Sequence, residues 1–130
     1  MGQYYRVVNL DKKQFLRPHA FGNGAKLMEF GSSAQGTMTA LAVLLASGNG
    51  RGGGDARSDN SLIGSWAGDR IVITGDYADE GLFVTLTEEE VVRWAAKEGE
   101  SDPNEHNLYS VATVLYEDIS DRLVALLPSL

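Results

Sequence analysis

Only two side chains in this sequence ordinarily titrate near neutrality, His19 and His106, and there is no cysteine. Chemistry that needs a thiolate or a cysteine-held zinc is therefore excluded. His106 stands in an acidic stretch and reads as a solvated side chain. His19, between Pro18 and Phe21 and beside the turn Gly22-Asn23-Gly24, is the better candidate for a general base or a ligand. A purely structural histidine is the competing reading. Asp55, Asp59 and Asn60 carry oxygen ligands of the kind Ca²⁺ or Mg²⁺ takes, but not at the alternating spacing of a calcium loop. Asp69, Asp76 and Asp79 flank an apolar run, where aspartate also serves as a turn former. No metal site and no cofactor are assigned from these residues. No Gly-x-Ser-x-Gly elbow is present.

Glycine makes up five of the eight residues from Gly48 to Asp55. A phosphate loop would follow a strand and end in Gly-Lys-Ser/Thr. This loop follows an expected helix and lacks that ending, so neither a P-loop nor a dinucleotide fingerprint is read. Two readings remain: a connector that stays mobile in the free protein, or a loop whose N–H groups, with Arg51 and Arg57, meet an anion. Trp66, among Gly64, Ser65 and Gly68, is either a platform for a ring-shaped ligand or a lid on the sheet. Trp94 falls on the apolar side of an expected helix and reads as core.

These residues need elements to hold them. Arg70 to Thr74 is β-branched and bounded by Gly68-Asp69 and Gly75-Asp76, which predicts a central strand with Ile71, Val72 and Ile73 in the core. Residues 3–9 and 14–17 predict an N-terminal hairpin ended by Pro18. Ala25 to Phe30 is ambiguous and leans to extended structure. Gly31-Ser32-Ser33 caps an expected helix over 34–47. Leu82 to Leu86 predicts a strand, and Thr87 with Glu90 forms a capping box for a helix over 88–98, stopped by Gly99. Residues 100–107 form a polar linker, and residues 107–127 carry a helical apolar stripe that Asp118 or Ser120 could interrupt. The expected fold is α+β, one globular domain over 1–130, with a mostly antiparallel sheet and about three helices packed on it.

The formal charge of −7 is unevenly spread: residues 1–30 carry +3, 31–75 balance, and 76–130 carry thirteen acids against three bases. Such a surface repels phosphate backbones, which argues against general nucleic-acid binding. It suits a basic protein partner, or simply solubility. No secretory signal and no apolar run near the ~20 residues of a membrane span are read, so the expected setting is cytoplasmic, without membrane contact.

Several stretches together carry a likeness: Met1-Gly-Gln-Tyr-Tyr5 with Val8-Asn-Leu-Asp-Lys12, Phe21-Gly-Asn-Gly24 with Lys26-Leu-Met-Glu-Phe30, the glycine-rich loop ending in Asp55, and Gly64-Ser-Trp-Ala-Gly-Asp-Arg-Ile71 with Gly75-Asp-Tyr77. The chain resembles a family of small uncharacterised bacterial proteins. The resemblance implies a bacterial, single-domain, intracellular protein and brings no catalytic residues.

Two functions follow. The first is a non-catalytic binding or protein-interaction module with an acidic surface, whose partner is a basic protein or a small anionic ligand. The second is a small-ligand or nucleotide- and phosphate-handling enzyme with a site at the ends of the 70–74 strand. The candidate ligand-binding residues are His19, Arg51, Asp55, Trp66, Asp69, Asp76 and Tyr77. Convergence of His19 and the glycine loop on Trp66 and Asp69 would favour the enzyme.

Overall fold

The computed structural model describes residues 3–31, 35–51, 54–98 and 107–130. The serine caps at 32–33, part of the glycine loop, the stop at Gly99 and the solvated His106 lie outside the described residues. The fold is α+β, and the described residues form a mixed sheet of four strands and five helices.

Strands β1 (Tyr5–Asn9) and β2 (Gln14–Leu16) form the N-terminal hairpin. With β3 (Ile71–Gly75) and β4 (Glu117–Asp118) the sheet order is β3-β1-β2-β4. β1 pairs antiparallel with both β2 and β3, and β2 pairs parallel with β4. The strand at 71–75 is therefore an edge strand, and the expectation that it is central is corrected. The inner strands are β1 and β2, and Val7, Val8 and Asn9 of β1 are fully buried. Ile71 and Val72 are half-buried, but Ile73 is 37% exposed and is not core. An edge strand lacks an in-plane neighbour on one side, and β-branched content alone cannot distinguish the two positions.

Register explains how the sheet splits the core. Val7 lies opposite Leu16 and Ile73, and Val8 opposite Phe15 and Val72, so the two rows point to opposite faces. The Val7 row packs with Phe30, Leu44, Trp66 and Leu123. The Val8 row packs with Leu108 and Ala112.

The helices depart from expectation in instructive ways. Residues 27–30 form a short helix, α1 (Leu27–Phe30), rather than extended chain. Glu29 Oε1 accepts the Lys26 N–H at 2.9 Å, a local bond that helix geometry provides and a strand does not. Helix α2 (Thr37–Leu45) is capped from a distance: Asn23 Oδ1 accepts both Thr37 N–H and Thr37 Oγ1–H at 2.8 Å. A Cβ at Gly36 would collide with that Asn23 side chain, so glycine permits the cap. Residues 82–86 form no strand. Gly81 and Phe83 both have positive φ, which breaks the extended run.

Helix α3 (Glu88–Glu98) begins with the expected reciprocal box, Glu90 N–H to Thr87 Oγ1 at 3.2 Å and Thr87 N–H to Glu90 Oε1 at 3.1 Å. The apolar stripe over 107–127 is divided into α4 (Leu108–Leu115) and α5 (Ser120–Leu126). Between them the edge of β2 captures the chain: Glu117 N–H donates to Lys13 O at 2.9 Å and Ile119 N–H to Phe15 O at 3.1 Å. Among the described residues no helix is long and apolar enough to cross a membrane.

Candidate functional site

The chain between β3 and α3 is pinned at one end and displays apolar side chains at the other. Tyr4 N–H donates to Asp76 Oδ1 at 3.1 Å, and Asp76 N–H returns to Tyr4 O at 2.8 Å. Asn107 adds a second clasp. Its amide donates to Asp76 O at 3.0 Å and Ala78 O at 3.1 Å, while its Oδ1 accepts Ser110 N–H at 3.0 Å and caps α4. One side chain thereby fixes the exit of β3 and the start of a helix together.

Beyond this clasp the chain turns at Gly81 and presents Leu82 and Phe83 to solvent, Phe83 at 58% exposure. Phe83 has φ 64°, a left-handed conformation that a bulky side chain rarely adopts. On α3, Trp94 is buried and turns inward, while Val92 is 67% exposed. Tyr77 is 71% exposed just after β3. From residue 76 to 98 the sequence sets seven acids against Arg93 and Lys97. Exposed apolar and aromatic groups thus sit in a strongly anionic stretch. The Thr87 backbone N–H holds the Glu90 carboxyl below its usual range; burial opposes it, and the Thr87 hydroxyl and Lys13 add to the lowering. Burial first, and the Glu90 charge second, push the Tyr116 phenol up.

The other candidate residues do not gather at one place. Trp66 is fully buried, with its indole N–H donating to Gln14 Oε1 at 2.8 Å, so it is a core residue rather than an open platform. Asp69 accepts Asn9 Nδ2–H at 2.8 Å and Lys12 Nζ at 2.6 Å, tying the start of β3 to the β1–β2 turn. These bonds, Asn9 first and then Lys12, lower its carboxyl's ionisation range. Asp76 lies at the far end of β3, one five-residue strand away. Gly50 and Arg51 N–H groups donate to Asp55 Oδ2 at 3.1 and 2.9 Å, so the loop's own carboxylate stands where an anion would.

Three cavities lie among the described residues. One of about 660 Å³ lies between α2, the glycine loop and the chain after α5, with Phe21, Val43, Leu127 and Asp55 among its walls. A second of about 420 Å³ is walled by the glycine loop with Asp59 and Asn60. The third, about 160 Å³, is lined by His19. None of the three is lined by Trp66, Asp69, Asp76 or Tyr77. Among the described residues no group of three or more His, Asp or Glu is placed to hold a metal ion.

No family model, curated protein or solved structure matches the chain.

Sequence reasoning missed Leu82 and Phe83 as exposed residues because it placed them in a strand. The signal that was available is Gly81 beside them, a turn residue at the start of the run.

Proposed function

We propose that this chain is a non-catalytic binding module that docks a basic protein partner on the surface between β3 and α3, in the cytoplasm of a bacterial cell. The observation that carries the reading is Phe83, an exposed aromatic held in a strained conformation within an acidic stretch. Backbone strain at a bulky residue persists where the surrounding structure imposes it, and such sites cluster where binding occurs. Aromatic anchors within a charged rim are also the usual composition of protein interfaces. The excess of acids selects a partner of the opposite sign and speeds the encounter.

The test is a panel of lysine- and arginine-rich peptides that also bear an apolar side chain, titrated against the intact protein. Binding should weaken as salt rises, and should weaken in both Phe83→Ser and Glu89→Lys. Binding that ignores both substitutions would remove the proposed surface.

A second reading, a small-ligand enzyme, draws on the 660 Å³ groove, whose size is in the range of small-molecule sites. Asp55, Gln35 and Thr39 are its polar groups among mostly apolar walls. A ligand seated there should be displaced by Val43→Trp and be indifferent to Phe83→Ser.

A further inference from the structure

Extending by one residue the register that sets Val7 opposite Leu16 places Arg6 opposite Arg17, just past the end of β2, on the face of Val8 and Phe15. Like charges directly across a strand pair are destabilising unless something between them compensates. Arg17 has its compensation: its Nε pairs with Asp118, and its Nη2 lies 3.8 Å from Asp121. Arg6 is placed differently. Its guanidinium lies 4.5 Å from the centroid of the Tyr109 ring and 5.3 Å from that of Phe15, and Nη1 donates to the Thr113 hydroxyl. Among the described residues no carboxylate lies within ion-pair distance of Arg6. Its orientation is fixed by stacking, not by an anion, and most of its N–H donors stay uncommitted to protein acceptors among the described residues.

Both arginines line the 160 Å³ cavity, together with His19, Tyr4, Tyr5 and Tyr109. We infer that this cavity is a binding site for a phosphate group. The Arg6 fork, which has no carboxylate partner among the described residues, suits the several acceptor oxygens of a phosphate, and Arg17, already paired through Nε with Asp118, adds only the donors which that pairing leaves over. His19, on the turn after Pro18, adds a further donor at the rim. The cavity, about 160 Å³, has room for a phosphate group. Tyr4, Tyr5 and Tyr109 in the cavity's lining favour a phosphate carried on a flat or apolar group. Arg6 brings to this cavity a cationic charge that no described carboxylate offsets, in a chain of net charge −7 whose general surface repels anions. The inference does not rest on the docking surface between β3 and α3.

The experiment is a titration of the intact protein, at fixed ionic strength, with inorganic phosphate, phenyl phosphate and sodium chloride. It is followed by NMR at the Arg6 and Arg17 Nε–H groups and the Tyr109 ring. Both phosphates should give saturable shifts at these residues, with chloride giving none. Tighter binding of phenyl phosphate would identify a monoester as the ligand, and equal binding the free ion; either result supports the site. Arg6→Lys keeps the charge but not the fork or the stacking, and should weaken binding about tenfold, whereas Arg51→Gln should leave it unchanged. Shifts no larger than those with chloride would overturn the proposal. So would affinity that falls with Arg51→Gln and not with Arg6→Lys, since the anion would then sit on the glycine loop.

Discussion

Asn9 is the most informative single residue to perturb. It is fully buried at the end of the inner strand β1, and all of its amide is engaged. Oδ1 accepts the N–H groups of Asp11 at 2.9 Å and Lys12 at 2.8 Å, forming the turn of the first hairpin, and Nδ2 donates to Asp69. Asn9→Ala deletes these bonds and leaves a small void. Two neutral bonds at roughly 0.5–1.5 kcal/mol each, with a cavity contribution added, give a loss of about 2–4 kcal/mol. The bond to Asp69 is left out of that figure, because its carboxylate keeps contact with water. Equilibrium unfolding in urea should show the loss as a lower midpoint at unchanged slope. Asn9→Asp is the companion variant. It keeps both acceptors for the turn but sets a second carboxylate against Asp69, where an amide now sits 2.8 Å away. Its deficit should be large at neutral pH and shrink as acid protonates the pair. A loss under about 1 kcal/mol for Asn9→Ala, or a pH-independent deficit for Asn9→Asp, would refute the view that β1 and its turn organise the sheet.

Other substitutions bear on the same architecture. Leu16→Ala, at a fully buried site on β2, should cost about 2–5 kcal/mol in urea unfolding, and Ile73→Ala at the exposed edge under about 2 kcal/mol. The reverse order would restore β3 to the centre. Thr87→Ala removes one half of the capping box and should cost about 0.5–2 kcal/mol, read as a shift of the unfolding midpoint. Acid should destabilise the fold. The carboxyls of Asp11, Asp69, Glu90 and Asp118 are all held below their ordinary values of 3.8 or 4.5. For Asp118 burial opposes ionisation, and the Ser120 hydroxyl and amide together with Arg17 more than offset it. Groups with lowered folded-state values stabilise fully above the unfolded value and lose that contribution as pH falls through the folded one. Unfolding free energy should therefore be level down to about pH 5 and decline below about pH 4.

What was legible in the sequence is local. The Thr87–Glu90 box, the hairpin before Pro18 and the extent of α3 depend on neighbours within a few residues, and all appear where the sequence puts them. What was not legible depends on partners far along the chain. β3 looks central from its own residues, but the N-terminal hairpin, about sixty residues earlier, takes both inner positions, β1 one and β2 the other. Asn23 caps a helix fourteen residues away, which a search for a cap at 31–33 could not find. The apolar stripe at 107–127 is interrupted at Asp118 and Ser120, where the sequence allows a break, but the cause of the break, hydrogen bonds offered by the edge of β2, lies far earlier in the chain. Trp66 fits either a ligand platform or the core until Gln14 supplies the acceptor for its indole. Leu82 and Phe83 have the composition of a strand but no strand beside them to pair with.

Phe83→Asn gives the most direct test of the proposed docking surface. Asparagine tolerates the left-handed conformation that Phe83 holds at φ 64°, and the ring it removes is mostly exposed. If the ring is there to bind a partner, stability and binding must part company. The unfolding midpoint of the variant should match or exceed that of the parent. Its affinity for the basic, apolar-anchored peptide that the parent binds should fall at least about tenfold. A lowered midpoint with unchanged affinity would mean that Phe83 serves the fold, and would contradict the account.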